Sequence, residues 1–174
     1  MFERGCRLVA TAAVFLQLGA CINSDYEIAS SFKPEFPVKP GTYAKGDGTI
    51  IVIRKIGNAY EVRNRSTKVT AYARLFKIPE FSDYVLQYYD RKQQPIVYLF
   101  MKTTDKGFDI YDIEKLPSVL PAHVAKLLAP IKEADHRDNN VTIVNGKRDT
   151  LYVVRELARA NLKMKEVESY KRRP

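Results

Sequence analysis

A chain of 174 residues that is 45 % apolar and 28 % charged has the composition of a folded domain, and its length suits one core better than several. A formal net charge of +9 argues against an acidic, solvating chain; it points to anionic partners or to a basic, solubilising surface. Two cysteines are too few for a disulfide framework or a cysteine-rich metal site.

Reading from the start, Arg4 and Arg7 outweigh Glu3, and the run from Leu8 to Ala20 is apolar except for Thr11 and Gln17. Such a run fits the roughly 7–15 residues of a signal h-region and falls short of the ~20 that a membrane-spanning helix needs. It has no polar face to turn toward water, which argues against a buried N-terminal helix of the domain. It ends in Leu18-Gly19-Ala20-Cys21, small residues followed by a thiol where cleavage would expose it. Residues 1–22 thereby resemble the signal and lipobox of bacterial lipoproteins. The resemblance implies removal of residues 1–20 and a diacylglycerol thioether plus an amide-linked acyl chain on Cys21. Ile22, standing where an Asp would retain a lipoprotein in the inner membrane, implies the outer membrane, facing the periplasm. With Cys6 removed and Cys21 capped, the mature domain would rely on its core and not on disulfides. Several acyl chains, at ~0.8 kcal/mol per buried methylene, hold such a protein stably on its bilayer.

Residues 22–41 carry Pro34, Pro37 and Pro40 with small polar residues and read as a tether behind the lipidated cysteine. As a loose coil they would span ~25 Å, and fully extended ~65 Å. Tyr26, Ile28, Phe32 and Phe36 indicate that part of the segment docks on the domain.

Residues 42–174 read as a single α+β domain. From Thr42 to Ile113 the pattern is a β-meander. Asp47-Gly48 makes a turn before a strand over Thr49–Ile56, and Gly57-Asn58 turns it into a strand alternating Tyr60 and Val62 with Glu61 and Arg63. The next strand sets Val69, Ala71, Ala73 and Leu75 on one face and Lys68, Thr70, Tyr72, Arg74 and Phe76 on the other. Strands over Tyr84–Tyr89, Ile96–Thr103 and Phe108–Ile113 follow. These six predict an antiparallel sheet, curved or closed into a partial barrel, lipocalin-like at most by analogy. Ser118–Ile131 has helical spacing between Pro121 and Pro130, and Val141–Val144 reads as a short strand. After Asn145-Gly146, Asp149 or Thr150 can cap a second helix with Leu151, Val154, Leu157, Ala158 and Leu162 on one face. The two helices are expected to pack on the sheet, with the basic tail from Lys163 as a last edge strand or a frayed end.

Candidate chemistry is sparse. His123 lies at the margin of an apolar helical stripe, and Asp135-His136-Arg137-Asp138 lacks a second His or Cys to complete a metal site. Asp109 and Asp112 read as solvated strand ends. No nucleophile elbow, HExxH or Walker loop is present. The expectation is therefore no enzyme, no cofactor and no metal. The sharpest local feature is charge: Arg54, Lys55, Arg63, Arg65, Lys68, Arg74 and Lys77 against Glu61 put +6 on residues 54–77. This surface is the candidate site for an anionic envelope component or a protein partner; the signal segment argues against nucleic acid. The expected function is a lipid-anchored, non-catalytic binding module. The alternative is a carrier for a small apolar ligand inside the curved sheet.

The anchor has a direct test. A clickable fatty acid fed to cells should label the wild-type protein and leave Cys21→Ala unlabelled; label persisting in the variant would refute acylation at this residue.

Overall fold

Alternating apolar and polar residues dictate strands with one buried face, and the turns between them dictate antiparallel neighbours. The computed structural model describes residues 22–89, 96–113, 121–130, 141–143, 146–159 and 164–174. Strands β1 (Ile22–Ser24), β2 (Gly41–Lys45), β3 (Ile50–Ile56), β4 (Ala59–Asn64), β5 (Thr70–Phe76) and β6 (Tyr84–Tyr89) come first. They are followed by β7 (Ile96–Thr104), β8 (Gly107–Ile113), β9 (Leu128–Pro130), β10 (Val141–Ile143) and β11 (Met164–Arg172). The helices are α1 (Ala122–Ala125) and α2 (Gly146–Arg159). Gly48 at φ 88° and Gly57 at φ 54° make the first two hairpin turns in the left-handed region that favours glycine.

Each strand from β2 to β8 pairs antiparallel with the next, and β11 pairs with both β2 and β8. The result is a closed eight-stranded antiparallel barrel, where the pattern had predicted a curved sheet or partial barrel. The tail is accordingly neither frayed nor an edge. β11 is bonded to β8 along most of its length and to β2 over Tyr170–Arg172, and its Tyr170 ring stacks on Phe108 at 5.1 Å.

Tyr43, Ile51, Ile53, Tyr60, Val62, Leu86, Leu99 and Tyr170 point inward as the barrel core. A second core lies outside the wall. Val85, Tyr98 and Phe100 on the outer face of β6 and β7 pack with Val153, Val154 and Leu157 of α2, which are fully buried. Burying each such side chain stabilises by about 1.5–3 kcal/mol. Burial on both faces explains why β6, apart from Gln87, and β7 up to Met101 carry apolar and aromatic residues on both faces. On β3 and β4 charged residues face out and apolar ones face in, the reverse of barrels that span membranes with their strands. No helix among the described residues is long and apolar enough to cross a membrane.

Three expectations are corrected here. The helix predicted over Ser118–Ile131 is a single turn, Ala122–Ala125, in its described part. Pro130 biases Ala129 toward extended backbone, and Leu128–Pro130 pairs with β10 instead. The second helix begins at Gly146, upstream of Asp149 and Thr150, and the buried Thr150 hydroxyl donates back to Gly146 O at 3.0 Å. Residues 22–41 are not a free tether. β1 pairs with β7 and β10, Ala29–Ser31 forms a 3-10 turn, and Ile28 is 0 % exposed. Leu18, Gly19, Ala20, Cys21, the loop bearing His136, and Leu162 lie outside the described residues.

Closure is tight at the start of β8. A Cβ added to Gly107 would stand 1.8 Å from the Tyr170 carbonyl oxygen, whereas one on Gly46 meets nothing within 4 Å. Gly107→Ala should therefore lower the unfolding free energy by about 2–4 kcal/mol and Gly46→Ala by less than ~0.5 kcal/mol, as urea denaturation would measure.

Candidate functional site

Alternation along strands disperses the seven basic residues of the 54–77 segment. Arg54 and Arg63 are exposed on the outer wall, Arg54 directly opposite Glu61. Arg65 and Lys68 sit in the β4–β5 turn at the base of the barrel, with Lys68 at φ 59°. Lys55 and Lys77 reach the opposite end, the mouth, where their ammonium groups lie 3.7 Å from the Phe36 ring centroid and 4.9 Å from that of Tyr84. Arg74 is half-buried under the N-terminal segment and donates from Nη1 to Glu27 Oε1 at 2.6 Å. The segment therefore offers no single basic face. His123 is exposed and hydrogen-bonds Tyr152, and Asp109 is half-buried on the outer wall of β8 beside Lys102. Among the described residues no three His, Cys, Asp or Glu side chains converge as metal ligands.

The barrel interior is filled. The segment over residues 35–40 crosses the mouth, with Glu35 N donating to Leu75 O at 2.8 Å. The Tyr60 hydroxyl donates to Val38 O at 2.8 Å and accepts from Val38 N at 3.1 Å, and burial pushes its pKa up to about 12. Phe36 lies edge-on to Tyr60 at 5.4 Å. Beneath this lid remains an apolar cavity of about 60 Å³, bounded by Val38, Tyr60, Leu86, Met101 and Tyr170 among others.

The base holds a polar cluster inside the wall. Glu168, 4 % exposed, accepts from the Tyr170 hydroxyl at 2.8 Å and from Lys45 Nζ at 3.1 Å, while Asp47 lies 3.4 Å from the same ammonium. Burial pulls the Lys45 pKa down, but Glu168 and Asp47 together carry it above its ordinary value. Burial pushes the Glu168 carboxyl up, and the Tyr170 and Lys45 contacts only partly offset this.

A larger space opens beside the mouth. A groove of about 710 Å³ runs between residues 37–39, the β7–β8 turn and the end of β11. It is lined by the exposed cations Lys39, Lys106, Lys171, Arg172 and Arg173 against Asp105. None of the five is in an ion pair among the described residues; Arg172 Nη2 donates to Pro40 O at 3.1 Å. The local charge density of the 54–77 segment does not reveal this cluster, because its cations come from three distant parts of the chain. The basic run Lys171-Arg172-Arg173 was the one visible sign.

Because Glu168 binds its proton more readily folded than unfolded, it favours folding most at acid pH. That contribution is lost as the pH rises from 4.5 through the raised folded value. Glu168→Gln should flatten this decline in urea-unfolding free energy and change stability at neutral pH by no more than about 1 kcal/mol, since Lys45 keeps Asp47 and solvent. An unchanged pH profile would assign the decline to another group.

No family model matches the chain, and no curated protein or solved structure matches it.

Proposed function

We propose that the chain is a lipid-anchored module of the bacterial envelope that binds an anionic partner in the groove at the barrel mouth and performs no covalent chemistry. The observation that carries this reading is the contrast between two spaces. The interior offers about 60 Å³ of apolar volume, while the groove offers about 710 Å³ lined by five exposed cations. A concave surface bearing charge of one sign concentrates ions of the other. In an envelope the available anions are lipid phosphates, peptidoglycan carboxylates and acidic protein faces. The site moves from the strands around Arg63 to residues that folding gathers from 39, 106 and 171–173. The anchor on Cys21 supplies attachment, and the outer membrane facing the periplasm is the compartment this reading assigns.

A second reading, the carrier, draws on the architecture. Eight antiparallel strands around an apolar lining make a lipocalin-like barrel. Pockets for drug-sized ligands are roughly 300–1,000 Å³. The carrier reading therefore requires residues 35–40 to leave the mouth and Tyr60 to give up both bonds to Val38.

Inorganic polyphosphate is a suitable probe for the anion site. Lys106→Glu, Lys171→Glu and Arg173→Glu together should weaken its binding about tenfold or more, since each cation near an anionic surface contributes about 1 kcal/mol. Arg54→Glu, Arg63→Glu and Arg65→Glu should weaken it far less. Fluorescence anisotropy measures both, and equal losses from the two triple variants would remove the groove as the site.

A further inference from the structure

We infer that the anion met by the groove is the phosphate of lipids in the same membrane leaflet that holds Cys21. This rests on the anchored, anion-binding reading above and names its partner.

The first observation is that the N-terminal segment is built into the fold. Ile22 pairs with Tyr98 of β7 and with Val141 of β10. Ser24 Oγ lies 2.8 Å from Thr150 Oγ1, and the Ile28 and Ala29 amides donate to Gln87 Oε1 at 3.2 and 3.0 Å. The Tyr98 hydroxyl donates to Tyr26 O at 2.6 Å. Successive Cα atoms are ~3.8 Å apart, so acyl chains on the residue preceding Ile22 would be joined one covalent step from a bonded strand rather than through ~25 Å of coil. Acyl chains in the bilayer would therefore hold this side of the barrel at the level of the headgroups.

The second observation is direction. β1 runs antiparallel to β7, with Ser24 beside Ile96 and Ile22 beside Tyr98. Walking back toward Cys21 thus climbs β7 toward the mouth. From Tyr98 to Thr104, which lines the groove, is ~20 Å along one strand. Exposed Lys102 stands on the outer wall between them. A molecule lying with its β1 edge and its β7–β8 turn toward the bilayer would place the anchor and the groove in the headgroup layer together. The acyl chains give retention; the groove sets the tilt, holding the mouth on the surface and leaving the β3–β4 wall to the periplasm.

The test uses the full chain, acylated in cells and reconstituted in phosphatidylcholine vesicles with or without phosphatidylglycerol and with a headgroup-borne quencher. The chain has two cysteines, Cys6 in the segment removed with the signal and Cys21 under its lipid, so one introduced thiol takes a fluorophore selectively. Thr104→Cys reports the groove, and Asn58→Cys reports the β3–β4 turn across the mouth; both native residues are exposed. Label at 104 should be quenched several-fold more than label at 58, in phosphatidylglycerol vesicles alone. The Lys106→Glu, Lys171→Glu, Arg173→Glu protein should lose the difference. Equal quenching at the two positions overturns the inference, and so does a difference that survives in neutral vesicles or after charge reversal. If polyphosphate binding still maps to the groove in that event, anion binding stands and the membrane assignment falls. Label entering Cys21 without an introduced thiol would show the anchor to be missing, which also overturns it.

Discussion

Closure of the barrel depends on one long-range pairing, the entry of β11 between β2 and β8. Before it, β2 and β8 would be open edges with unpaired amides and carbonyls, and the inner faces of seven strands would lie open to water. After it, every strand of the ring has two neighbours. The same pairing carries Tyr170 onto Phe108 and Glu168 onto Lys45, so the core and the polar base are completed in one step. It also brings Lys171–Arg173 beside the β7–β8 turn and thereby makes the basic groove. Joining residues 170–172 to residues 43–45 closes a long loop, an entropic cost that folding meets only when most other contacts can form.

A second constraint follows from burying both faces of β6 and β7. Their inner faces fill the barrel, and their outer faces need a cover. Helix α2 supplies part of it, and the segment from Ser24 to Ser31, Val124 of α1 and Phe81 add to it. Gln87 is fully buried between the two, so its carbonyl oxygen has to be satisfied inside the protein, and the Ile28 and Ala29 amides do this. A residue that would be ordinary on a surface strand thus becomes the clamp that turns an apparent tether into part of the sheet. Glu80 acts comparably for α2, pairing with Arg155 and Arg159 and fixing the helix against the β5–β6 connection.

These two constraints separate the roles of the parts. The interior is occupied by the protein's own side chains, and the lid over residues 35–40 is tied to Tyr60 and Leu75. The larger open space therefore lies on the exterior. There the wall around Arg54 and Arg63 is convex, while the groove at the mouth is concave and its cations are exposed. Curvature, more than the count of charges, distinguishes a site from a solubilising surface.

The local chemistry was legible in the chain itself. Period-two alternation and Asp-Gly or Gly-Asn turns gave the strands from Ile50 to Ile113 nearly residue by residue, because hairpins are specified by neighbours. The apolar spacing of Val154, Leu157 and Ala158 likewise marked α2. Pro130 hid β9 inside a helical pattern, since periodicity cannot register a partner strand that arrives later. The docking of residues 22–41 was legible only as misplaced aromatics, because its cause is Gln87 and Tyr98, some sixty to seventy residues away. The sequence by itself determined the hairpin strands between Ile50 and Ile113, their apolar faces, and the helix over Gly146–Arg159. Tertiary structure alone decided that the sheet closes, that its interior is full, and which scattered cations share a concave surface. Those properties depend on pairing between distant parts of the chain, and local pattern carries no record of which distant partner wins.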